Sequence, residues 1–280
     1  MIKNSRENNL EFSVLMSIYV KEEPEYFEAC LESLVKQTLI PNEIIVVEDG
    51  PLTKELYEVI DRFEIKKPNL FKRLTLEKNV GLGKALSIGV EACQYRLIAR
   101  MDTDDIADDF RFEKQVNEFK KNPRLGLTGS DIDEFENSLS EVVAKRIVPH
   151  THKEILKHAK RRNPFNHMTV MYKKDEVLKA GNYLPLNGFE DYYLWIRMLK
   201  NETITKNLPE ILVHARAGKE MYKRRGGYKY LKDSMKARRT IYEVGFNSYL
   251  DYFISVSGQI LVSIVPNNTR AFIYTNFLRK

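Results

Sequence analysis

The hydrophobic positions of this chain alternate between short continuous runs and longer periodic stretches. Residues 12–20, FSVLMSIYV, form an apolar run bounded by charge, the pattern of a strand buried on both faces. Pro24 then opens a helical repeat that puts Phe27, Cys30, Leu31 and Leu34 on one face. Proline suits a first helical position, where its missing N–H would be unpaired in any case. EIIVVEDG predicts a second strand, LTKELYEVIDRF a second helix and FKRLTLEKN a third strand; GLGKALSIGVEAC predicts a third helix and YRLIARM a fourth strand. This alternation predicts βαβ units and a mostly parallel sheet, whose ligands sit outside the carboxyl ends of its strands. Asp49 and the acids from Asp102 to Asp105 both follow such ends, so they are expected on one rim although far apart in sequence.

After Pro123 the pattern becomes mixed. LGLTGSDIDEF and EVVAKRIV read as strands, and THKEILKHAKRR as a helix opened by a capping box from Thr151 to Glu154. EDYYLWIRMLK reads as a helix with Leu194, Trp195, Met198 and Leu199 on its apolar side, and EILVHAR as the last strand. Only helices are expected from Gly226 onward. Composition shifts near Arg216, since residues 216–239 carry ten Lys/Arg against two acids. That shift divides a catalytic unit, residues 1–215, from a basic helical extension, residues 216–280.

The totals refine this picture only a little. With 280 residues, 43% hydrophobic and 30% charged, the chain fits one large globular unit or one unit plus an extension. A net charge of +6 and a pI near 9.0 favour anionic partners: nucleotides, phosphates, acidic membranes or nucleic acid. Cys30 and Cys93 fall on predicted buried stripes and read as small core residues, which suits a reducing cytoplasm. The first residues contain no apolar signal core, and no stretch approaches the roughly 20 apolar residues of a spanning helix.

Against this basic background, Asp102, Asp104, Asp105, Asp108 and Asp109 crowd into eight positions. Asp108 and Asp109 read as acids at the start of the next helix. Asp102 and Asp104, one residue apart at a strand end, can point into one cleft, and Mg²⁺ or Mn²⁺ favours such carboxylates together with substrate phosphates. A calcium-binding EF-hand loop is excluded, because Ile106 and Ala107 stand where an oxygen ligand and a glycine are needed. GLGKALSIG is not a dinucleotide fingerprint, because Leu86 occupies the third glycine position. Nor is it a P-loop, because Ala85 follows Lys84.

Asp102-Thr103-Asp104-Asp105 after an apolar strand resembles the DxD motif of GT-A glycosyltransferases. The succession VLMSIYVKEE, EIIVVEDG, NVGLGKALSIG and ARMDTDDIA, then NPFNHMTVMYKKDEVLKAGNY and GFEDYYLWIRM, resembles inverting family 2 enzymes, particularly bacterial capsule and exopolysaccharide members. The similarity covers residues 12–225. It implies the GT-A fold, a Rossmann-like, mostly parallel α/β sheet flanked by helices, here with a helical C-terminal extension. It also implies a metal-dependent glycosyltransferase. The donor would be a nucleotide-sugar, UDP-hexose by default, and the acceptor a polysaccharide repeat unit on a polyprenyl diphosphate lipid.

The resemblance further implies roles. Asp49 would contact the base; a carboxylate can accept the imide N–H of uracil, although an aspartate before Gly-Pro is equally a turn residue. Asp102 would approach the ribose and Asp104 the Mg²⁺ or Mn²⁺. Ser17, Tyr19, Glu22, Asn79, Gly81, Lys84, Arg100 and Thr103 would surround the nucleotide-sugar. Asp191 is the expected catalytic base, with Glu190 the second candidate, since inverting transfer needs a carboxylate to take the acceptor hydroxyl's proton. The helix dipole alone would also favour an acid there. His214 is a candidate metal ligand and His167 a candidate acceptor contact. Arg216, Lys219, Arg224 and Arg225 are candidates to neutralise the leaving diphosphate.

Alternatively, the basic run and the helices after it rest on anionic lipid headgroups, pack on the catalytic unit or form a homodimer contact. The expected location is cytoplasmic, peripheral at the inner face of the plasma membrane. Two other classes were weighed. A nucleotidyltransferase would need a Gly/Arg-rich loop after the first strand, where this chain reads YVKEEPEYF. A nucleic-acid-binding protein would need a basic stripe with stacking aromatics, for which Tyr222, Tyr228 and Tyr230 offer little, so no nucleic-acid partner is expected.

Overall fold

The computed structural model describes residues 10–217 and 227–264. Its first half is an unbroken run of βαβ units: β1 (Phe12–Ile18), α1 (Pro24–Val35), β2 (Glu43–Glu48), α2 (Lys54–Lys66), β3 (Phe71–Thr75), α3 (Leu82–Ala92) and β4 (Leu97–Arg100). The four strands lie in the order β3-β2-β1-β4, all parallel. The apolar runs are continuous because each strand is buried on both faces. Val14 and Met16 of β1 join Ile44 and Val46 of β2 under α1 and α2. Leu15, Ile45 and Val47 point the other way, into a second core with Ala85, Leu86 and Val90 of α3.

Beyond β4 the sheet is mixed. β8 (Met171–Lys173) runs antiparallel between β4 and β6 (Leu125–Phe135), and β6 pairs parallel with β9 (Ile204–Arg216). Two short strands, β5 (Ile106–Ala107) and β7 (Val142–Arg146), pair antiparallel with β9 and β6. The sheet is therefore wholly parallel where βαβ units were expected and mixed beyond, with β6 and β9 its one further parallel pair among the described strands. β9 starts six residues earlier than EILVHAR suggested, because Pro209 and Glu210 fall in a bulge between the Ser130–Leu208 and Asp131–Ile211 pairs. Proline donates no ladder hydrogen bond and is tolerated at such a bulge.

The remaining helices are α4 (Arg111–Lys121), α5 (His152–Ala159), α6 (Lys174–Lys179), α7 (Glu190–Lys200), α8 (Gly227–Glu243) and α9 (Tyr249–Ile264). The capping box of α5 is present, with Thr151 and Glu154 satisfying each other's backbone N–H groups. Trp195 of α7 is fully buried among Phe165, Tyr172, Tyr183 and His167. Ala237 and Ile241 of α8 are buried in that same core, and Tyr242 of α8 packs on Tyr252 of α9 with ring centroids 4.9 Å apart. Cys30 and Cys93 are free and buried. Among the described residues no helix is long and apolar enough to cross a membrane.

Gly89 marks the closest approach of α3 to the sheet: a Cβ there would stand 2.3 Å from Leu15 Cδ1 and 2.9 Å from Val47 Cγ2. Both neighbours are fully buried and cannot swing aside. Overpacking of this kind costs about 1–3 kcal/mol, against about 1 kcal/mol of helix propensity gained by alanine. With contact this close the steric cost wins, so Gly89→Ala is expected to lower the denaturant midpoint; a raised midpoint would show that the helix can lift off the sheet freely.

Candidate functional site

The carboxyl ends of β1, β2 and β4 supply one side of the site. Asp49 follows β2 and is almost fully buried. Its Oδ1 accepts the Val80 N–H at 2.6 Å and its Oδ2 the Gly81 N–H at 3.0 Å, while Asn79 Nδ2 donates to the Asp49 carbonyl at 3.2 Å. Asp49 thus latches the β3–α3 loop, and each carboxylate oxygen keeps further acceptor capacity. Gly50 completes the latch: its φ is +88°, and a Cβ would stand 2.7 Å from the Asn79 nitrogen. Asn79 and Lys84 are exposed, Gly81 half-buried, and Ser17 and Tyr19 half-buried at the end of β1. One residue earlier in the chain, Glu48 is buried against Arg73 and Thr75, a structural ion pair that sequence patterning did not single out.

Past β4 the acids divide into distinct tasks. Asp102 forms an ion pair with the buried guanidinium of Arg100, and its side chain remains 31% exposed, open to the cleft. Thr103 Oγ1 donates to Glu22 Oε2 at 2.9 Å, which ties the β1–α1 loop to the motif. Burial, then the charge of Asp104, pushes the Glu22 carboxyl up to about 7. Burial and the charge of Asp102 push Asp104 up to about 6. Asp105 is buried and accepts the Arg216 N–H at 2.9 Å through Oδ1. Its Oδ2 is buried without a hydrogen-bond partner among the described residues, and burial with the neighbouring acids holds its carboxyl far above the usual range. Asp105 is thus an anchor between the motif and the end of β9.

Asp108 and Asp109 are refined rather than confirmed as helix-start acids. The N-cap of α4 is Phe110, with no side-chain cap bond. Asp108 Oδ1 accepts the N–H of Phe110 itself, at 3.0 Å, and the Asp109 carbonyl accepts from Thr38.

Two arginines flank this cluster. Arg216 donates from Nε to the Asp104 carbonyl at 3.2 Å, and its guanidinium lies over Tyr26 at 3.8 Å and Phe135 at 4.6 Å. Arg111 is fully buried beneath the motif; it donates to the Arg100 carbonyl at 2.6 Å and to Gln115 at 3.2 Å, and burial pulls its guanidinium down to about 9. Sequence reasoning missed Arg111. Its only signal is a cation between two phenylalanines at the start of an otherwise amphipathic helix.

The first turn of α7 carries a second pair of acids. Asn163 Nδ2 donates to Asp191 Oδ2 at 2.6 Å, and burial raises the Asp191 carboxyl. Glu190 is 8% exposed, its Oε2 has no partner among the described residues, and burial with Asp191 beside it raises its carboxyl too. The first turns of α3 and α7 touch here, since a Cβ on Gly83 would meet Glu190 Cβ at 3.2 Å. Arg100 lies close enough for its charge to bear on Asp102, Asp191 and His167 alike.

The structure settles the histidines differently. His167 bonds the Tyr183 hydroxyl at 2.9 Å inside the aromatic cluster, and burial with Arg100 nearby keeps it neutral. His214 Nδ1 bonds Asp133 Oδ1 at 2.7 Å on the sheet. Among the described residues no three His, Cys, Asp or Glu side chains converge as a metal cluster, so His214 is not brought together with the motif in one. Lys219, Arg224 and Arg225 lie outside the described residues.

A parallel-headed mixed sheet with paired aspartates after its fourth strand and raised carboxylates at the start of α7 matches one class: a glycosyltransferase of the GT-A type. The comparisons agree. The chain belongs to glycosyl transferase family 2, whose sequence model, described as "Glycosyl transferase family 2", matches residues 13–178. It is 38% identical over 96% of its length, and 97% of the relative's, to an Escherichia coli UDP-Gal:alpha-D-GlcNAc-diphosphoundecaprenol beta-1,3-galactosyltransferase. It is 39% identical, over 94% of this chain and 97% of the relative, to the amylovoran biosynthesis glycosyltransferase AmsE of Erwinia amylovora. An uncharacterized glycosyltransferase of Haemophilus influenzae is 41% identical over 97% of this chain and 100% of its own. Among solved structures, S. aureus TarS 1-349 in complex with UDP-GlcNAc shares the fold, with TM-score 0.63 and 20% identity over 96% of this chain and 72% of that one.

The crowded carboxylates have a pH consequence for the ligand-free protein. A carboxyl near 4.5 when unfolded and near 7 when folded, as for Glu22, makes the folded state bind more protons between those values. Stability is then greatest below about 4.5 and declines as pH rises through about 7. Glu22→Gln removes that penalty, so it is expected to raise the melting temperature of the ligand-free protein at pH 8 and to bring no gain at pH 4.5. An equal gain at both values would assign the effect to packing instead.

Proposed function

We propose that this protein is an inverting glycosyltransferase that moves a sugar from UDP-hexose to a diphosphate-lipid-linked saccharide during assembly of a bacterial polysaccharide repeat unit. The observation that carries this reading is the link through Arg100, which pairs with Asp102 at the end of β4 and whose charge also bears on Asp191 at the start of α7, itself held by Asn163. The relative that names a UDP-galactose donor and a diphosphoundecaprenol acceptor matches this chain almost end to end and supports the substrate class. Family membership displaces the nucleotidyltransferase and nucleic-acid readings.

In this account Asp49 and the loop it latches receive the uracil, Asp102 the ribose, and Ser17, Tyr19 and Lys84 frame the nucleotide. The donor set also fits a divalent cation. Asp104 and Glu22 are hard oxygen donors whose carboxyls are raised by burial and by negative neighbours, an excess of charge that Mg²⁺ or Mn²⁺ would offset. When bound, such an ion would stabilise the leaving diphosphate. Arg216, braced on Tyr26 and Phe135, adds fixed positive charge on the same side. Asp191 takes the proton of the attacking acceptor hydroxyl. The Asn163 amide and the Tyr192 backbone N–H both bond its carboxylate and fix its direction.

Residues 1–215 form the catalytic unit in this proposal and residues 216–280 the extension that brings it to its acceptor. Leu250, Phe253, Ile254 and Leu261 are exposed along one side of α9, a face suited to the boundary of a lipid bilayer. The enzyme would then work from the cytoplasm, peripheral to the inner face of the plasma membrane.

Asp191→Asn is expected to leave UDP-sugar binding within about twofold and to cut transfer at least 100-fold, a loss typical of a missing general base; near-normal turnover would remove Asp191 from the role. Asp104→Ala is expected to abolish the enhancement of UDP binding by Mn²⁺ in calorimetry, whereas retained enhancement would move the cation elsewhere.

A further inference from the structure

A second cavity, apart from the donor cleft, opens between the β7–α5 connection, the end of α5 and the start of α9. Its volume is about 850 Å³, within the range of small-molecule sites. Lys157, Lys160, Arg161 and Arg162 line it, against only Glu154 and Asp251. Both acids are already engaged. Glu154 accepts from the Thr151 backbone and hydroxyl in the capping box, and Asp251 accepts from Arg161 and Ser248. The cations cluster around the C-terminal turn of α5, where the helix dipole favours them. Lys157 and Lys160 make no ion pair with any described residue and are exposed to the cavity and solvent. Positive charge also crowds inward: burial, Arg162 and Arg146 hold His158 down to about 4.

The position of this cavity gives the charge a meaning. Arg162 lines it, and the next residue, Asn163, holds the carboxylate of Asp191. The cavity lies near the base candidate: the charge of Arg146 bears on both Asp191 and the lining residue His158, and Asp191 and the lining residue Asp251 both bear on Tyr192. Arg146 secures the same segment by donating to the Asn163 and Phe165 carbonyls. On the outer side, Ile147 at the rim is 51% exposed, and α9, which contributes Asp251, carries the exposed apolar face. The basic cavity is thus bordered on one side by the segment that holds Asp191 and on another by the helix that carries the apolar face.

We propose that this cavity holds the diphosphate of the acceptor, with Lys157, Lys160 and Arg162 on the phosphoryl oxygens and the lipid leaving over α9. The proposal rests on the reading that the acceptor is diphosphate-linked. A diphosphate diester brings two negative charges, matching the surplus of four cations over two engaged acids. Charge-assisted bonds of this kind are roughly twice as strong as neutral ones.

The test uses the full chain and two synthetic acceptors with the same sugar and alkyl chain, one joined through a diphosphate and one as a plain glycoside. Wild type should show a lower KM for the diphosphate acceptor, and raised salt should erode that advantage. In the double variant Lys157→Gln/Lys160→Gln, KM for the diphosphate acceptor should rise by about tenfold or more, while KM for the donor moves less than twofold. The donor readout also reports that the variant is folded. Equal use of both acceptors by wild type, or an equal loss on both in the variant, overturns the proposal. So does a variant that loses flotation with phosphatidylglycerol vesicles but keeps its acceptor KM, since the cations then serve lipid headgroups.

If neither acceptor receives sugar although UDP binds, the acceptor reading itself has failed. The cavity is then judged by titrating inorganic pyrophosphate into UDP-saturated protein. Binding by wild type that is lost in the variant sustains a diphosphate site there, and no binding overturns it.

Discussion

The site is organised around the buried guanidinium of Arg100. It ends β4, pairs with Asp102, and its charge bears on Asp191 and His167. Leaving such a charge without its partner costs about 3–5 kcal/mol, so the strand end and the motif are locked to each other. The same charge tempers the repulsion among Glu22, Asp102, Asp104 and Asp105. Without a fixed cation inside the sheet, four acids could not be packed into one rim of the molecule. Arg111 reinforces the arrangement from below through the Arg100 carbonyl, and Arg216 from the side through Asp104 and Asp105.

A second chain of contacts joins donor and acceptor sides. Asp49 latches Gly81, the first turn of α3 packs through Gly83 on Glu190, and Glu190 adjoins Asp191. The β3–α3 loop and the first turn of α7 are therefore tied together through buried side chains and close packing on Gly83. Preorganisation of this kind lets a single displacement proceed without rebuilding the site. The segment from Arg162 to Asn163 joins this chain of contacts to the basic cavity, since Asn163 bonds Asp191 and Arg162 lines the cavity.

The parallel half of the sheet was legible in the sequence because each of its strands is an apolar run closed by charge, and each crossover a clean 3.6-residue repeat. The motif aspartates and Asp191 were legible because they stand at strand and helix ends, where chemistry gathers in such folds. The tasks of Asp49 and Asp105 were not, since both depend on backbone N–H groups far away in sequence, at Val80, Gly81 and Arg216. Arg111 and the pairing of the two-residue β5 with β9 were hidden for the same reason. His167 and His214 look alike as isolated histidines, and only the fold shows one inside an aromatic core and the other paired with Asp133.

In the proposed reaction the acceptor hydroxyl, deprotonated by Asp191, displaces the diphosphate in one in-line step at the anomeric carbon. The anomeric configuration of the product tests this, read by proton NMR coupling after transfer from an α-linked UDP-hexose to a diphosphate-lipid-linked acceptor sugar. The expected product is β-linked. An α-linked product would rule the proposed step out, because a single backside displacement must invert the anomeric carbon.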